Sequence, residues 1–527
     1  PSHDVENAGC RSPHGGASMH DGINMALALQ SAHLSLGTLI SQQARKTPNH
    51  IALKDSHKSC SYQEFDRRTS QFANFLLSEG IRRGDRVAIL SENSTDYVEL
   101  LVAGAKIGAI IACQNWRLAE PELTHCISLV APKLLLTSPR HAQKANALPL
   151  QLKTYILDAS FADLRATYPE IAPEDVTTPE DGAVILYTSG TTGLPKGALI
   201  SHRAQIARAH IQMIDLPADP QDIFVAWAPL FHMVSTDTVF KTLMIGGTVH
   251  VTDGFDAQEL ASIIADEPLG RLTLMPGMIS PLIEAVRKNG SRVKGVKWIG
   301  VMADLVPLDQ IAEVTTLLNA PYLNTFGATE TGLAPASAGT IPVGKIAKNL
   351  DKTQSALCEI RLVDEEDNEV PDGTPGELAI RSPALFSGYW NNPETNAHDF
   401  RGGWFHMGDM FLRNPDGTLK FVDRRKYLIK SGGENIYPAE LERIILSDPR
   451  VIEAAVVRQK DAQWGEVPIA FIARKDDFLD ASAVFDMLED KIARYKRPKA
   501  IYFIPEAEFP RSTTGKIKRH LLEERLL

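Results

Sequence analysis

The sequence predicts an α/β protein: a large N-terminal domain of helix-covered, mostly parallel sheets with a small β subdomain, then a small α+β C-terminal domain. Three observations carry that prediction. From about residue 36 to about residue 350, short apolar runs alternate with amphipathic stretches, the rhythm of strands joined by helical crossovers. After that the texture changes to alternating strands punctuated by Pro-Asp-Gly turns. Beyond Arg424 comes a compact unit with helical stretches on either side of two apolar strands. A chain of 527 residues is also long enough for at least two cores.

The elements follow in order. "SYQEFDRRTSQFANFLLSEGI" sets Phe65, Phe72, Leu76 and Leu77 on one helical stripe, with Gly80 as the stop. "DRVAIL" reads as a short buried strand, and "STDYVELLVAGAKIGA" as a helix ending near Gly108. "KLLLTS" and "AVILYT" continue the strands, and Ser201 is placed to cap a helix in "SHRAQIARAHIQMI". "ALCEIRLVDEEDNEVPDGTPGELAIRS" gives two strands around a turn, and "NPDGTLKFVDR" repeats that turn chemistry. A helix from about Pro438, strands near "EAAVV" and "IAFIA", and a helix "ASAVFDMLEDKIA" complete the last unit. The expected organisation is an extension over 1–34, a large domain over 35–425 and a small one over 426–527, with the hinge near "DRRKYLIK". No repeat of solenoid period is present.

Composition narrows the function class. Hydrophobic residues at 44% and charged ones at 23% are ordinary for a globular protein. Fifty-five basic residues against 65 acidic ones give a net charge of −10, which argues against a nucleic-acid partner. The five cysteines (Cys10, Cys60, Cys113, Cys126, Cys358) contain no CxxC pair and suit a reducing, cytoplasmic setting as small core residues. The most apolar stretch is interrupted by Lys106 and falls short of the ~20 apolar residues of a membrane span. The opening residues lack a basic start before an apolar run and do not read as a signal peptide; His3, His14 and His20 there are too irregularly spaced for a metal site.

The chemistry concentrates in "YTSGTTGLPKG". Gly190 and Gly193 free backbone N–H groups to converge on anion oxygens, Thr188, Ser189, Thr191 and Thr192 add hydroxyl donors, and Lys196 adds charge. A phosphate is the anion such a loop fits. The Walker A order is absent, because Lys196 follows Pro195 and is itself followed by Gly197. Taken alone, the segment reads equally as a polar surface loop.

Four further segments follow it in order: "NTFGATETG", "WFHMGD", "VDRRKYLIKSGGENIYPAELE" and "PRSTTGKIKR". Together the five resemble the signatures of the adenylate-forming superfamily over roughly residues 36 to 527, closest to its acyl- and aryl-CoA ligase branch. The resemblance implies that a carboxylic acid attacks the α-phosphate of ATP, giving an acyl-adenylate and pyrophosphate, and that a thiol then displaces AMP. It implies ATP, Mg²⁺ and CoA as small-molecule participants, and a mobile C-terminal domain. Residue by residue, it places the Thr188–Lys196 loop at the β- and γ-phosphates, Thr329 at the α-phosphate and Glu330 on Mg²⁺. Asp409 would accept from the ribose hydroxyls with Arg424 beside it; Met407 stands where relatives carry threonine or serine. Lys516 matches the lysine that neutralises charge as the adenylate forms, Lys426 the hinge position, and Lys430 a lysine used during thiolation. Lys426 and Lys430 also read as a solvated basic face at i+4 spacing.

For the acceptor thiol, Gly432, Gly433, Glu434 and Trp464 match the pantetheine tunnel, and Tyr495 and Arg497 the nucleotide end of CoA. This favours CoA over a carrier protein as the second partner. The first partner is a small carboxylic acid, expected to be an aryl or a short- to medium-chain one. Its pocket would be walled by "PLFHMVSTDTVF", "MPGMISP", "GVMADL" and "FGATETG". His232 matches a gating histidine, and Met233, Met275, Met278, Met302 and Gly327 line the expected wall. "GVMADL" departs from the commoner Gly-Gly-Ala-Pro pattern, so that wall is not carried over. Asp237 reads either as a contact for a polar substrate end or as a surface pair with Lys241. The rival readings are an enzyme that loads a carrier protein and a non-catalytic nucleotide-binding protein. A luciferase-like oxygenase is disfavoured, because "SGGEN" replaces that branch's residues.

Overall fold

A computed structural model describes residues 24–527 apart from 189–193, 276, 433, 490 and 512–514. Two large sheets frame the N-terminal domain. The first runs, from edge to edge, through 388–389, Lys196–Ser201, Gly182–Thr188, Ile110–Cys113, Arg86–Leu90, Leu134–Thr137 and Thr154–Ile156. The strands from Gly182–Thr188 to Thr154–Ile156 pair in parallel, whereas Lys196–Ser201 and 388–389 join antiparallel. The second sheet has eight strands with a parallel middle containing Ile51–Lys54, Thr248–Val251, Ile223–Ala226, Leu269–Leu272, Val296–Ile299 and 322–323. Antiparallel strands Ser59–Ser61 and 340–341 close its two edges. One continuous apolar core joins residues of both sheets, among them Val87, Ile111 and Val184 with Phe224, Val249 and Val251.

The helices form where the sequence places their signals. Ser61, Ser94 and Ser201 each accept a backbone N–H three residues on, and so start Tyr62–Ser78, Thr95–Ile107 and His202–Asp215. Thr95–Ile107 ends on Gly108 in the left-handed conformation (φ 67°). The lysine that interrupts its apolar run, Lys106, is 4% exposed and bonds Asp66 Oδ1 at 2.7 Å and the Ser70 hydroxyl, so its charge is compensated rather than stranded. Within the stretch expected as an extension, Met25–Ser31 forms a short helix with no buried residue.

The β subdomain is a four-stranded antiparallel sheet, Glu359–Val363, Gly376–Arg381, Phe405–Arg413 and Leu419–Arg424. The C-terminal unit centres on a long hairpin, Val451–Asp461 with Gly465–Arg474, flanked by helices Pro438–Leu446 and Ala481–Glu489. That last helix stops earlier than the apolar spacing predicts, and Ile492 and Ala493 lie beyond it. Among the described residues no helix is long and apolar enough to cross a membrane. The four described cysteines are free, and burial pushes each thiol up to about 12, which makes poor nucleophiles of them.

A buried ion cluster ties the first layer of helices together. Glu99, 1% exposed, takes Arg68 Nε on one oxygen (2.6 Å) and Arg165 Nη1 on the other (2.5 Å). Glu99→Ala leaves Arg165, itself 3% exposed, with only the partly exposed Asp96. We expect a stability loss of about 3 kcal/mol or more in urea unfolding; a loss within error of zero would mean the cluster is hydrated.

Candidate active site

The site lies where Thr188 and Lys196, the turn carrying Thr329 and Glu330, the strand carrying Asp409 and the C-terminal unit converge. Thr188 pairs with Lys196 across an antiparallel ladder, so the two ends of the loop are held side by side. Ser189, Gly190, Thr191, Thr192 and Gly193 lie outside the described residues. The Lys196 ammonium sits 3.9 Å from the centroid of the Tyr389 ring. The Tyr389 hydroxyl in turn donates to Glu330 Oε1 at 2.8 Å. One buried tyrosine therefore links the cation of the loop to the carboxylate of the turn.

That turn is fixed from behind. Gly327 belongs to a narrow two-stranded sheet, Phe326–Ala328 with Gly332–Ala336. A Cβ on Gly327 would stand 2.0 Å from the Gly332 carbonyl, so glycine is required there for backbone approach. Beneath the turn lies Arg208, whose side chain is 1% exposed. It donates Nη2 to the Thr329 carbonyl (2.9 Å), Nε to the Ala384 carbonyl (3.0 Å) and Nη1 to both oxygens of Asp237 (3.3 and 3.2 Å). This corrects the expectation of a surface pair between Asp237 and Lys241: Asp237 is 2% exposed and serves Arg208. Arg208 was not singled out from the sequence, where it is one basic residue on an amphipathic helix.

Asp409 is 5% exposed on Phe405–Arg413, directly across the ladder from Arg424. Arg424 Nε stands 3.3 Å from Asp409 Oδ1 without the geometry of a hydrogen bond, and that oxygen has no hydrogen-bond partner among the described residues. Burial pushes the Asp409 carboxyl up to about 6, against the pull of Arg424, with Glu330 adding to the rise. A buried acceptor in want of donors fits a vicinal diol. Met407, two residues earlier, packs against the core.

The C-terminal unit brings Lys516 to the same place. Its side chain keeps solvent access in a cleft crowded by protein. Desolvation there, with the repulsion of Arg424 and Lys426, lowers its pKa, while Asp409 and Glu330 oppose the shift. Lys426 lies in a short 3-10 turn, Arg425–Tyr427, and Lys430 in the strand Ile429–Ser431; they form no helical basic face. Lys426 feels Asp409 and Lys516, whereas Lys430 is exposed and paired with Glu365 of the β subdomain at 2.5 Å. His232 precedes the helix Met233–Ile245 with its ring against Phe231. Desolvation, helped by Arg117 and Lys516, pushes it down to about 4, so it is neutral at pH 7. Arg117 is a second cation for which the sequence held no signal.

The expected acid wall is partly strained. Gly300 (φ 78°) opens it, packed so closely on the Tyr322 ring that a Cβ would stand 2.1 Å from it. Met302 is left-handed (φ 46°), a conformation costly for a side chain of its kind, and its N–H reaches Thr325 Oγ1 at 3.4 Å. Met233, Met275 and Met278 are half-buried against the surrounding cores. In the C-terminal unit, Gly432 (φ 59°) lies under the Trp464 indole, where a Cβ would meet the ring at 2.8 Å, and its N–H donates to the Trp464 carbonyl. Trp464, Glu434 and Tyr495 are exposed, and Gly433 lies outside the described residues. Arg497 is engaged by Glu489, whose carbonyl accepts its Nη2 at 2.6 Å. Among the described residues neither a hydrogen bond nor an ion pair joins Trp464 to Tyr495 or Arg497.

Glu330 fits a role in holding Mg²⁺ only as a partial ligand. Among the described residues no three His, Cys, Asp or Glu side chains cluster as a metal cage, and Tyr389 occupies one Glu330 oxygen. A single carboxylate with ligand phosphates completing the sphere is how Mg²⁺ is commonly held.

The AMP-binding enzyme family matches residues 40–390, and the AMP-binding enzyme C-terminal domain matches 440–516. An indoleacetate–CoA ligase from Aromatoleum aromaticum is 32% identical over 92% of this chain and 97% of its own length. A feruloyl-CoA synthase from Amycolatopsis is 31% identical over 92% and 97%. The o-succinylbenzoate CoA synthetase of Bacillus subtilis, solved with its acyl-adenylate, superposes with a TM-score of 0.80 at 26% identity over 92% and 97%. The same enzyme solved with ATP and a magnesium ion gives a TM-score of 0.77 at 25% identity over 92% and 98%.

The raised carboxyl of Asp409 has a stability consequence. Its folded pKa of about 6 lies above the unfolded 3.8, so the folded state holds the proton more tightly. The residue's contribution is therefore most favourable below about pH 4 and is lost as pH rises through about 6. Asp409→Asn should raise the unfolding free energy of the ligand-free protein by roughly 1–3 kcal/mol at pH 8 and by nothing at pH 4. Urea titrations at the two pH values check this; an equal effect at both would show that charge burial is not the cause.

Proposed function

The chain belongs to the AMP-binding enzyme family, and on that footing we propose that it acts as an ATP-dependent acid–thiol ligase. It activates a carboxylic acid as the acyl-adenylate with release of pyrophosphate, then transfers the acyl group to CoA with release of AMP. The observation that carries this reading is the charge of the cleft. Lys196, Arg424, Lys426 and Lys516 face Glu330 and Asp409, and Arg117 flanks His232, a local excess of cations in a chain of net charge −10. A polyphosphate suits that excess, and the buried Asp409 oxygen that lacks a donor suits a ribose.

The roles follow from placement. Lys196, steadied on Tyr389, holds the terminal phosphates. Asp409 takes the ribose hydroxyls, with Arg424 keeping it ionised when the nucleotide enters. Neutral His232 stands at the acid's entrance and presents no competing charge to the incoming carboxylate. Lys516 stabilises the charge that grows on the α-phosphate as acid oxygen bonds to phosphorus and pyrophosphate departs, and Thr329 borders that position. Glu330 would hold Mg²⁺, which when bound neutralises phosphate charge. No covalent enzyme intermediate is required, in keeping with four unreactive thiols.

CoA is the favoured acceptor because the named relatives are CoA ligases and because Gly432 and Trp464 form a close-packed aromatic wall. An aryl acid is in line with those relatives' names, with a short- to medium-chain acid as the second reading. Lys430, held outward by Glu365, is assigned to the thioester step, for which the C-terminal unit would have to turn.

The test is acid-dependent pyrophosphate release from ATP over a panel of acids, each with and without CoA, with products identified by mass. Thioester formation that rises with CoA supports the reading; adenylate accumulating with no CoA effect would redirect it to a carrier protein. Lys516→Ala should slow adenylate formation by at least ~10²-fold, about 3 kcal/mol, the order seen for a lost oxyanion donor. The same variant supplied with ready-made acyl-adenylate should still form the thioester. Equal loss in both half-reactions would remove Lys516 from the first step alone.

A further inference from the structure

Arg271 lies in the middle of the eight-stranded sheet, on Leu269–Leu272, between Ile223–Ala226 and Val296–Ile299. It is 4% exposed, and its Nε and Nη2 have no hydrogen-bond partner among the described residues. Leaving a buried guanidinium in that condition is costly unless an anion or polar group meets it. Its surroundings do not supply one. Asp237 is within electrostatic reach, but both its oxygens already serve Arg208. Lys241, one turn beyond Asp237 on Met233–Ile245 and 7% exposed, is pushed down to about 8 by burial and then by Arg271. The carboxylate that Lys241 feels, Asp222, is paired with Lys297 at 2.6 Å. Arg208, Arg271 and Lys241 thus face Asp237 and an already committed Asp222, which leaves buried positive charge in excess.

One helix and one strand connect these charges to the segments expected to wall the acid pocket. The helix that carries Asp237 and Lys241 begins beside His232, so they lie about 8 and 13 Å along it from the entrance. Just past the strand that carries Arg271 comes Thr273, whose hydroxyl is also buried without a hydrogen-bond partner among the described residues, followed in sequence by Met275 and Met278. The Gln205 amide, fully buried beside Asp237, likewise has both polar atoms without a hydrogen bond of ordinary geometry. Arg271 and Thr273 thus carry buried donors without hydrogen-bond partners among the described residues, on the segment that leads to the expected acid wall.

We propose that Arg271, supported by Lys241, forms the inner end of the acid pocket and selects acids that carry a second anionic group, dicarboxylic acids above all. The inference rests on the ligase reading and narrows it: the reacting carboxylate sits by His232, and the distal one pairs with Arg271. A dicarboxylate of matching reach neutralises the buried charge, whereas a monocarboxylic acid of equal length leaves it unpaired.

The experiment compares kcat/KM for adenylation of chain-matched dicarboxylic and monocarboxylic acids, aliphatic and aryl, by the full chain and by Arg271→Met and Arg271→Lys. The wild type should favour the diacid, and Arg271→Met should cut the diacid-to-monoacid ratio by about 10²-fold, the order for a buried charge deprived of its partner. Arg271→Lys should keep part of the preference. Thermal stabilisation of each protein by the best diacid, with ATP and Mg²⁺, gives a readout independent of turnover and should vanish in Arg271→Met. A wild type that prefers apolar monoacids, or an Arg271→Met that lowers both classes alike, overturns the inference and leaves the ligase reading intact. If no acid is adenylated the ligase reading fails, and the inference then stands or falls on Arg271-dependent stabilisation by the diacid.

Discussion

The turn that carries Thr329 and Glu330 leans on one buried guanidinium. Arg208 gathers the Thr329 carbonyl, the Ala384 carbonyl and the Asp237 carboxylate, and so binds a turn, the end of the β subdomain's approach and a core helix to one point. A delocalised cation with a planar fork of donors suits this role; a lysine could not bond in three directions within one plane. The cost of burying it is met by Asp237 on the neighbouring helix. Space is made by Gly332, where a Cβ would come within 2.9 Å of the Arg208 stem, at a backbone φ of 70° that favours glycine. Glycine, arginine and aspartate from three separate elements thus act as one support for Glu330.

The second constraint is electrostatic and spans the chain. Burial raises the Asp409 carboxyl against the pull of Arg424, and one of its oxygens has no hydrogen-bond partner among the described residues. Such a site trades stability for preorganisation. The C-terminal unit completes it from outside by setting Lys516 near Asp409 and Glu330. At the connection between the units, Arg425 binds Glu377 at 2.5 Å, where Arg401 also arrives at 3.0 Å. Burial works against the Glu377 carboxylate, yet its basic neighbours His406, Arg425 and Arg401 hold it down at about 2. The link is thus anchored to the β subdomain immediately beside Arg424. Under the proposed roles, the two lysines of the small unit occupy opposite situations: Lys516 in the cleft, Lys430 out on Glu365. A turn about the Arg425 region would exchange them, at the expense of an exposed and therefore weak ion pair.

The sequence by itself determined the secondary structure of the framework, because its signals are local. Serine caps at Ser61 and Ser201, the stop at Gly108 and the alternation of apolar residues each act within a turn or a strand. It also determined the candidate nucleotide groups, since Lys196, Glu330, Asp409 and Lys516 sit in ordered motifs whose residue types match phosphate and ribose chemistry. The tertiary structure alone decided what those groups lean on. Arg208, Tyr389 and Arg117 carry no motif, and their roles arise from interactions across 121, 59 and 115 residues of chain. Asp237 shows the difference most plainly. Its sequence context suggested a polar substrate contact and its spacing to Lys241 a surface pair, but both residues are buried and long-range packing gave Asp237 to Arg208. The same holds for Arg271, an unremarkable basic residue in the sequence that becomes a buried, uncommitted charge only when the sheet closes around it. Periodicity reports which faces are apolar; it does not report which charge will be enclosed, because enclosure depends on neighbours brought together from the whole chain.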